Sequence, residues 1–332
     1  MIGRSAGLWL SGGGQRHIFH LRTGEATITL QDVEVLFGLR VDEEPLHARY
    51  EPPPGQTWVT ELTRLNHFVP DVAGQISGQS RVQLSALCTY LEGLDPVMDG
   101  TLQDDVDRHA RLYLLIIFGG ILFPNSAGAF VSLRYLVFLE HLDRLGDYSW
   151  GGAVLAYLYR CLCRASVGVV RDVCGFFALL QLWVWERMLP FQPVPRHHLE
   201  IDMPYARRWT AGFDRDVDTH HSILPFRDQL DHMTDDALFI WMLYSAILDG
   251  LPPFCKAGQG GWRLRCPLIH LDIVEDHMPE CVLRQFGHTQ SIPLDVRHEL
   301  RHYQRDDRAA VDDIFWLSWM SSSTVGRTGW AL

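Results

Sequence analysis

The sequence predicts a mainly α-helical protein, a multi-helix globule with a small N-terminal β-hairpin and a short extended segment near residues 266–274. Apolar residues recur at helical spacing in several segments, two of which are apolar on more than one face, as central helices of a core are. Strand-like alternation is confined to short stretches. With 47% hydrophobic and 21% charged residues among 332, the chain has enough apolar side chains to bury a sizeable core.

The N-terminal region carries the hairpin signal. Residues 17–29 alternate between apolar and polar around Thr23-Gly24, a pattern typical of two strands joined by a turn. Thr29 then has the character of a helix N-cap, with Asp32 in the first turn, and Gly38 is expected to end that helix. Residues 41–56 are rich in acids and proline and predict a loop.

Five helical segments are predicted in the middle of the chain. A capping box at 80–83 is expected to open a helix to about Leu94, and residues 102–118 predict a second helix that ends at Gly119-Gly120. Residues 133–145 have helical spacing, and residues 150–165 and 173–187 follow as two strongly apolar helices. We expect Gly119, Gly120 and Gly151 to permit close packing.

The C-terminal part is more irregular. A connector rich in Pro, His and Arg spans about 190–226, helices are predicted for 234–250 and 279–286, and residues 294–320 predict a final amphipathic helix or pair. We divide the chain into a tail (1–16), a main domain (17–293) and a C-terminal helical region (294–332). The residues predicted to form the core are Trp150, Tyr157, Leu158, Leu179, Leu182, Trp183, Trp185 and Phe286.

The net charge of -11 argues against a protein whose main role is to coat nucleic acid, because phosphates would repel it. The seven cysteines include no CxxC pair, which favours reduced thiols in an intracellular protein. The longest apolar run, residues 112–123, is shorter than the roughly 20 residues that span a bilayer. We therefore expect a soluble protein with no membrane contact.

The sharpest chemical motif is an HExxH sequence formed by His298, Glu299 and His302. On a helix this spacing places two imidazoles for zinc and a general base beside them. The neighbouring Arg297 and Arg301, and the lack of any later glutamate as third ligand, favour a charged exposed helix instead. We predict no metal site, and these three residues are the candidates if one exists.

Two further groups of residues suggest chemistry. His270, Asp272, Glu275 and His277 contain the residue types of a two-histidine, one-carboxylate iron site, but the stretch is also typical of a half-buried strand that enters a turn. Lys256 is the only lysine, so any Schiff-base cofactor would require it. The histidine pairs at 197–198 and 220–221 lie in a predicted loop and are expected to be solvated.

Four arginines are the candidates for nucleic-acid contact. Arg160, Arg164, Arg207 and Arg208 could line a groove beside Trp209, since ssDNA and RNA grooves combine basic and aromatic side chains. Arginines at these spacings are more typical of a solvated helix edge or of partners for acids. We therefore do not favour nucleic-acid binding.

Four sequence blocks, in order, together resemble the plant mobile domain family, which includes MAINTENANCE OF MERISTEMS and MAIN-like proteins and is also labelled aminotransferase-like. The blocks are FHLRTGEATITLQDVEVLFGLRVDEEPL (19–46), LIIFGGILFPNSAGAFVSLRYLVFLEHLDRLGDYSWGGAVLAYLYRCLCRAS (115–166), FFALLQLWVWERMLPFQP (176–193) and CPLIHLDIVEDHMPECVLRQFGHTQSIP (266–293). On this resemblance, residues 17–293 form the plant mobile domain, and 294–332 a degenerate continuation of it.

The resemblance implies a non-enzymatic nuclear protein-interaction module, with a role in meristem maintenance, genome stability and silencing of transposable elements. It also implies a protein partner of phosphatase-like character and a transposon-related, truncated or diverged copy. We expect no catalytic residues and no cofactor, because the single lysine gives the aminotransferase-like label no support. The alternatives are a transposon-derived nucleic-acid-binding protein and an HExxH zinc metalloprotein.

Overall fold

The computed structural model describes residues 9–10, 17–47, 52, 55–72, 74–125, 128–166, 174–193, 202–209 and 228–291. Within these ranges the protein is mainly helical, as predicted. The α-helices are α1 (Leu30–Phe37), α2 (Trp58–Asn66), α3 (Leu84–Glu92), α4 (Gln103–Ile117), α5 (Leu136–Leu139), α6 (Trp150–Ser166) and α7 (Phe177–Arg187). Short 3₁₀ turns cover Leu133–Tyr135, Leu142–Asp147, Leu189–Phe191, Tyr205–Trp209, Asp236–Leu238, Leu248–Gly250, Pro253–Cys255, Gln259–Gly261 and Pro279–Phe286. None of the described helices is long and apolar enough to cross a membrane.

The described strands form three small sheets. The strands are β1 (Trp9–Leu10), β2 (Phe19–Leu21), β3 (Gly24–Ala26), β4 (Leu46–His47), β5 (Ile76–Ser77), β6 (Arg81–Gln83), β7 (Phe130–Ser132), β8 (Cys266–Leu271) and β9 (Ile273–His277). Their orders are β1-β2-β3, β4-β8-β9 and β5-β6-β7.

The N-terminal hairpin is confirmed in part. Strands β2 and β3 pair antiparallel around the turn at Thr23-Gly24, as the alternation predicts, but each has only three residues. Strand β1 adds a third member from the segment that we assigned to a tail. The alternating apolar and polar pattern does not predict this pairing, because that pattern covers residues 17–29 and β1 lies before it.

The extended segment predicted near 266–274 is a hairpin rather than a single strand. Strands β8 and β9 pair antiparallel over five residue pairs, and β4 adds to β8 in parallel from more than 200 residues earlier in the chain. Leu271 has a left-handed backbone (φ 50°) where the chain reverses before Asp272. Asp272 is the only residue between the two strands, so the turn is too short to separate them clearly in the sequence.

Helix α1 begins and ends where the sequence predicts. The Thr29 side chain accepts from the Asp32 amide, and the Asp32 carboxylate accepts from the Thr29 amide at 2.8 Å, which completes a capping box. Gly38 ends the helix with φ 67°, and its amide donates to the Glu34 carbonyl oxygen at 2.8 Å. These caps fix both ends of the helix that carries the acids described below.

The helical path does not end at Gly119-Gly120 as predicted, although α4 itself ends at Ile117. The chain continues as a π-helical turn over Phe118–Leu122, closed by the Phe123 amide on the Phe118 carbonyl oxygen at 2.7 Å. A Cβ on Gly119 would lie 2.6 Å from the Val131 Cβ, so this glycine permits close packing against β7. Gly120 has open space around it and serves no such purpose.

Helix α6 lies in the middle of the core, against α1, β8 and β9. Five residues predicted for the core are buried, and these are Trp150, Tyr157, Leu158, Leu179 and Trp183. The other three, Leu182, Trp185 and Phe286, are half-buried. They lie at the margin of the core because one face of their helices remains open to solvent.

The helix predicted for 133–145 is broken into two 3₁₀ turns and the single turn of α5. Its break lies where the buried Arg111 side chain of α4 donates to the carbonyl oxygens of Leu139 (2.9 Å) and Glu140 (3.2 Å). Those oxygens would accept from amides one turn later in a continuous helix. A long-range contact therefore overrides the local helical spacing.

The helix predicted for 234–250 is absent for the same reason. The buried Arg187 side chain donates to the carbonyl oxygens of Ile240 (3.1 Å) and Trp241 (2.9 Å), and Phe239 forms an isolated bridge with Met188. Residues 241–250 form turns instead.

Two other differences from the sequence prediction are local. The predicted capping box at 80–83 is wrong, because residues 81–83 form β6, the middle strand of its sheet, and α3 starts at Leu84. Helix α2, which we did not predict, begins with a capping box between Thr57 and Thr60. The helix predicted for 294–320 lies outside the described residues.

Candidate functional site

The most concentrated group of charges in the described core surrounds Asp32 on α1. Its carboxylate accepts from Arg187 of α7 (Nη2, 2.7 Å; Nε, 3.2 Å) and from the Tyr244 hydroxyl (2.9 Å). It also accepts from the Thr29 amide and hydroxyl. Asp32 and Arg187 both have 0% of their side chains exposed. Burial raises the pKa of the Tyr244 hydroxyl, and the Asp32 charge raises it further.

Two further buried glutamates flank this ion pair. Glu34 follows Asp32 by two residues in α1. Its carboxylate accepts from the Trp262 indole (2.6 Å) and the Gly258 amide (2.8 Å). Glu186 accepts from Arg208 (Nε, 2.8 Å) and the Trp209 indole (2.5 Å). Burial raises the pKa of both carboxyls, and these donors oppose that shift. Each carboxylate is therefore held by two donors from distant parts of the chain.

The four arginines proposed for nucleic acid occupy different environments. Arg160 is buried in α6 and donates to Glu275 and to the Val274 carbonyl oxygen. Arg208 is paired with Glu186, while Arg207 is exposed and Arg164 half-buried. The structure thus commits two of the four guanidinium groups to carboxylates inside the fold, and nucleic-acid binding stays a prediction that draws little support from them.

Each of the four proposed iron ligands contacts a different partner. His270 lies 2.8 Å from the Tyr135 hydroxyl, and His277 accepts from the Leu30 amide and donates to the Leu264 carbonyl oxygen. Asp272 pairs with Arg134, and Glu275 with Arg160. Burial lowers the pKa of His270 to about 3 and that of His277 to about 4, so both are neutral at pH 7.

The remaining chemical candidates give no assembled site among the described residues. The Lys256 amine donates to the carbonyl oxygens of Leu248 and Asp249, so it fastens a loop. Across the part of the chain that the structure describes, no three His, Cys, Asp or Glu side chains are grouped to hold a metal. His298, Glu299, His302 and the histidine pairs at 197–198 and 220–221 lie outside that part.

A surface feature that the sequence did not reveal lies around the start of α4. Val97, Met98 and Leu102 expose 46%, 72% and 74% of their surface, and the exposed Asp95, Asp99 and Asp104 alternate with them. None of these three acids forms an ion pair with another described residue. We refer to these six residues as the acidic-apolar surface.

The backbone of this surface is ordered by its own hydrogen bonds. The Thr101 amide donates to the Met98 carbonyl oxygen (3.0 Å), and the Met98 amide donates to the Thr101 hydroxyl (2.9 Å). Gly100 supplies the left-handed conformation that the turn requires (φ 92°), and Leu102 starts α4 by accepting from the Val106 amide (3.1 Å). The apolar side chains are therefore presented on a preformed turn.

Sequence reasoning missed the buried charges. The local pattern identifies Asp32 only as a first-turn acid and indicates no role for Glu34, Glu186 or Arg187. The signal was nevertheless present, because these residues interrupt strongly apolar blocks (LQDVEVLF and LLQLWVWER) where a solvated charge has no place. Tyr244 carried no comparable signal.

Comparison with known proteins agrees with the resemblance that the four sequence blocks indicate. The family profile of the plant mobile domain matches residues 15–327. Among curated proteins of Arabidopsis thaliana, the chain is 34% identical to "Serine/threonine-protein phosphatase 7 long form homolog", over 89% of this chain and 22% of that protein. It is 32% identical to "Protein MAIN-LIKE 1", over 88% of this chain and 55% of that protein, and 30% identical to "Protein MAINTENANCE OF MERISTEMS", over 90% and 59%.

The chain thus spans between about one fifth and three fifths of the length of these relatives. No solved structure matches it. The match to the family profile covers most of the chain and includes all four sequence blocks. The chain therefore belongs to the plant mobile domain family.

Proposed function

We propose that this protein is a non-enzymatic, nuclear protein-interaction module that acts in meristem maintenance, genome stability and silencing of transposable elements. The observation that carries the proposal is the acidic-apolar surface, a preformed turn with exposed apolar side chains between acids that have no ion-pair partner among the described residues. Exposed apolar side chains rimmed by charge mark protein contacts. Membership of a family that includes MAIN-like proteins supports the biological role.

The charges inside the fold support a non-enzymatic role. Asp32, Glu34 and Glu186 each accept at least two hydrogen bonds from donors that lie outside the helix that carries the carboxylate. A general base must reach a substrate proton, and a buried carboxylate filled by such donors does not. The buried groups instead serve to hold α1 and α7 and the loops at 205–209 and 258–262 together.

The composition of the surface defines the partner that it fits. Asp95, Asp99 and Asp104 would attract arginine or lysine side chains and repel phosphate groups. Met98 and Leu102 would pack against apolar residues in the same segment of the partner that carries those basic side chains. We therefore propose a protein partner with a basic and apolar docking segment, and the phosphatase name of one relative makes a phosphatase-like protein the first candidate.

The proposal is tested by recovery of tagged protein from plant nuclei with and without nuclease. We expect a protein partner that stays bound after nuclease treatment. A variant with Met98→Asp and Leu102→Asp should lose that partner, whereas the matched control Val69→Asp with Val72→Asp, an exposed apolar pair elsewhere on the surface, should retain it.

Two results would contradict the proposal. Partners that all disappear with nuclease would favour the nucleic-acid alternative. Equal retention by both double variants would place the contact away from the acidic-apolar surface. Localisation is tested separately with a fluorescent fusion in plant cells, where a signal excluded from the nucleus would refute the nuclear assignment.

A further inference from the structure

Two cysteines from different helical segments meet outside the buried ion pairs. The sulfur of Cys161 in α6 lies 2.9 Å from the sulfur of Cys174, which precedes α7. Cys161 is buried and Cys174 is half-buried, and all seven cysteines are thiols. A disulfide needs the sulfurs at about 2.05 Å, so closure requires a movement of about 1 Å.

The backbone beside Cys174 explains this close approach. Gly175 has φ 106°, a conformation that side chains rarely adopt, and a Cβ on it would lie 3.1 Å from the Leu158 side chain and 3.5 Å from the Cys161 Cβ. The Gly175 amide also donates to the Pro124 carbonyl oxygen (3.4 Å). The chain is therefore fixed against α6 at the turn that carries Cys161, and the thiol contact follows from the fold.

We propose that Cys161 and Cys174 form a dithiol site that hydroperoxides oxidise reversibly to a disulfide. The more accessible Cys174 thiolate attacks one oxygen of hydrogen peroxide, the O–O bond breaks, and a sulfenic acid and hydroxide form. The Cys161 sulfur then attacks the sulfenic sulfur, the S–S bond forms, and the sulfenic oxygen leaves as water. Overall, two thiols and one peroxide give one disulfide and two waters, and a thiol reductant reverses the change.

The bond would join the C-terminal half of α6 to the start of α7. Cys161 and Cys174 are 13 residues apart in the sequence, and a bond between them would close that loop and restrict the unfolded chain. The unfolding temperature of the oxidised protein should therefore be about 5 °C above that of the reduced protein. The site is independent of the proposed interaction function, because neither cysteine belongs to the acidic-apolar surface.

Peptide mapping of the whole chain tests the site. The protein is treated with hydrogen peroxide, remaining thiols are blocked with N-ethylmaleimide, and trypsin then cleaves after Arg160, Arg164, Arg171 and Arg187. The expected product is a cross-linked pair of peptides 161–164 and 172–187, with the mass of the two peptides less two hydrogens, plus one N-ethylmaleimide group on the remaining Cys163 thiol. Dithiothreitol should separate them.

The first peptide also contains Cys163, so variants assign the bond. We expect the cross-link in the wild type and in Cys163→Ser, and its loss in Cys161→Ser and Cys174→Ser. Unfolding temperatures of the reduced variants identify any that fail to fold, and only the wild type and Cys163→Ser should gain stability on oxidation. No cross-link at peroxide levels that oxidise the half-buried Cys88, or a bond through Cys163, would overturn the proposal.

Discussion

The buried ion pair between α1 and α7 gives the sharpest stability prediction. Replacement of Asp32 by Asn keeps the shape of the side chain but removes its charge. The Arg187 guanidinium, which is fully buried and lies 2.7 Å from Asp32, would then have no neutralising partner at that position. An Asn side chain has one acceptor oxygen and one NH2 donor group, where the carboxylate has two acceptor oxygens. The NH2 group would therefore face a donor from Arg187, Tyr244 or Thr29, and that hydrogen bond would be lost.

The expected magnitude follows from burial. Removal of one member of a buried ion pair destabilises proteins by about 3–5 kcal/mol, since the other charge stays in the core without compensation. Tyr244→Phe removes a single hydrogen bond to the same carboxylate and should lower the free energy of unfolding by about 1.5–3 kcal/mol. The loss expected for Asp32→Asn is a large part of the 5–15 kcal/mol that typically stabilises a domain.

Urea unfolding followed by circular dichroism at pH 7 measures both changes. Arg144→Ala is the matched control, because it breaks the exposed Arg144–Asp147 ion pair and should leave the unfolding midpoint unchanged. The reasoning is refuted if Asp32→Asn unfolds within about 1 kcal/mol of the wild type, because a stranded buried charge cannot be so small an effect.

Two further predictions concern buried histidines and a tight glycine. Because burial lowers the pKa of His270 to about 3 and of His277 to about 4, each should remove about 2 kcal/mol of stability between pH 7 and pH 5, and His277→Gln should reduce that loss. Gly119→Ala should cost about 1–3 kcal/mol because its Cβ would lie 2.6 Å from the Val131 Cβ, whereas the neighbouring Gly120→Ala, with open space, should cost nothing. Chemical unfolding of each variant measures these differences.

The sign of the histidine effect follows from proton binding. The unfolded state takes up a proton near pH 6.5 and the folded state only near pH 4 or below, so stability is present above pH 6.5 and falls as the pH decreases. Burial raises the pKa of Glu34 and Glu186, which opposes the trend, so the comparison is between wild type and variant. An identical pH dependence in His277→Gln, or equal stability of the two alanine variants, would contradict these accounts.

The sequence predicted those elements whose limits are set locally. Thr29 and Gly38 mark the ends of α1 because caps act within a few residues, and apolar spacing located α4, α6 and α7. The hairpin at Thr23-Gly24 was found in part because its turn lies within the alternating stretch. In each case the deciding interaction connects residues that are close in the chain.

The errors come from interactions between distant residues. Arg111 and Arg187 each bind carbonyl oxygens in segments that the spacing predicted to be helical, and no local pattern shows that an arginine from another helix will occupy them. The parallel pairing of β4 with β8 joins segments more than 200 residues apart. The acidic-apolar surface was missed because exposure of Met98 depends on what the rest of the chain leaves uncovered.

Hydrogen exchange of the affinity-purified complex against the protein alone tests the central claim most directly. If the protein is an interaction module that uses the acidic-apolar surface, partner binding should slow exchange of the backbone amides over residues 95–106, while the amides of residues 67–72, which include the control pair Val69 and Val72, remain unchanged. Protection confined to other segments, or no protection in a complex that resists nuclease, would contradict the account.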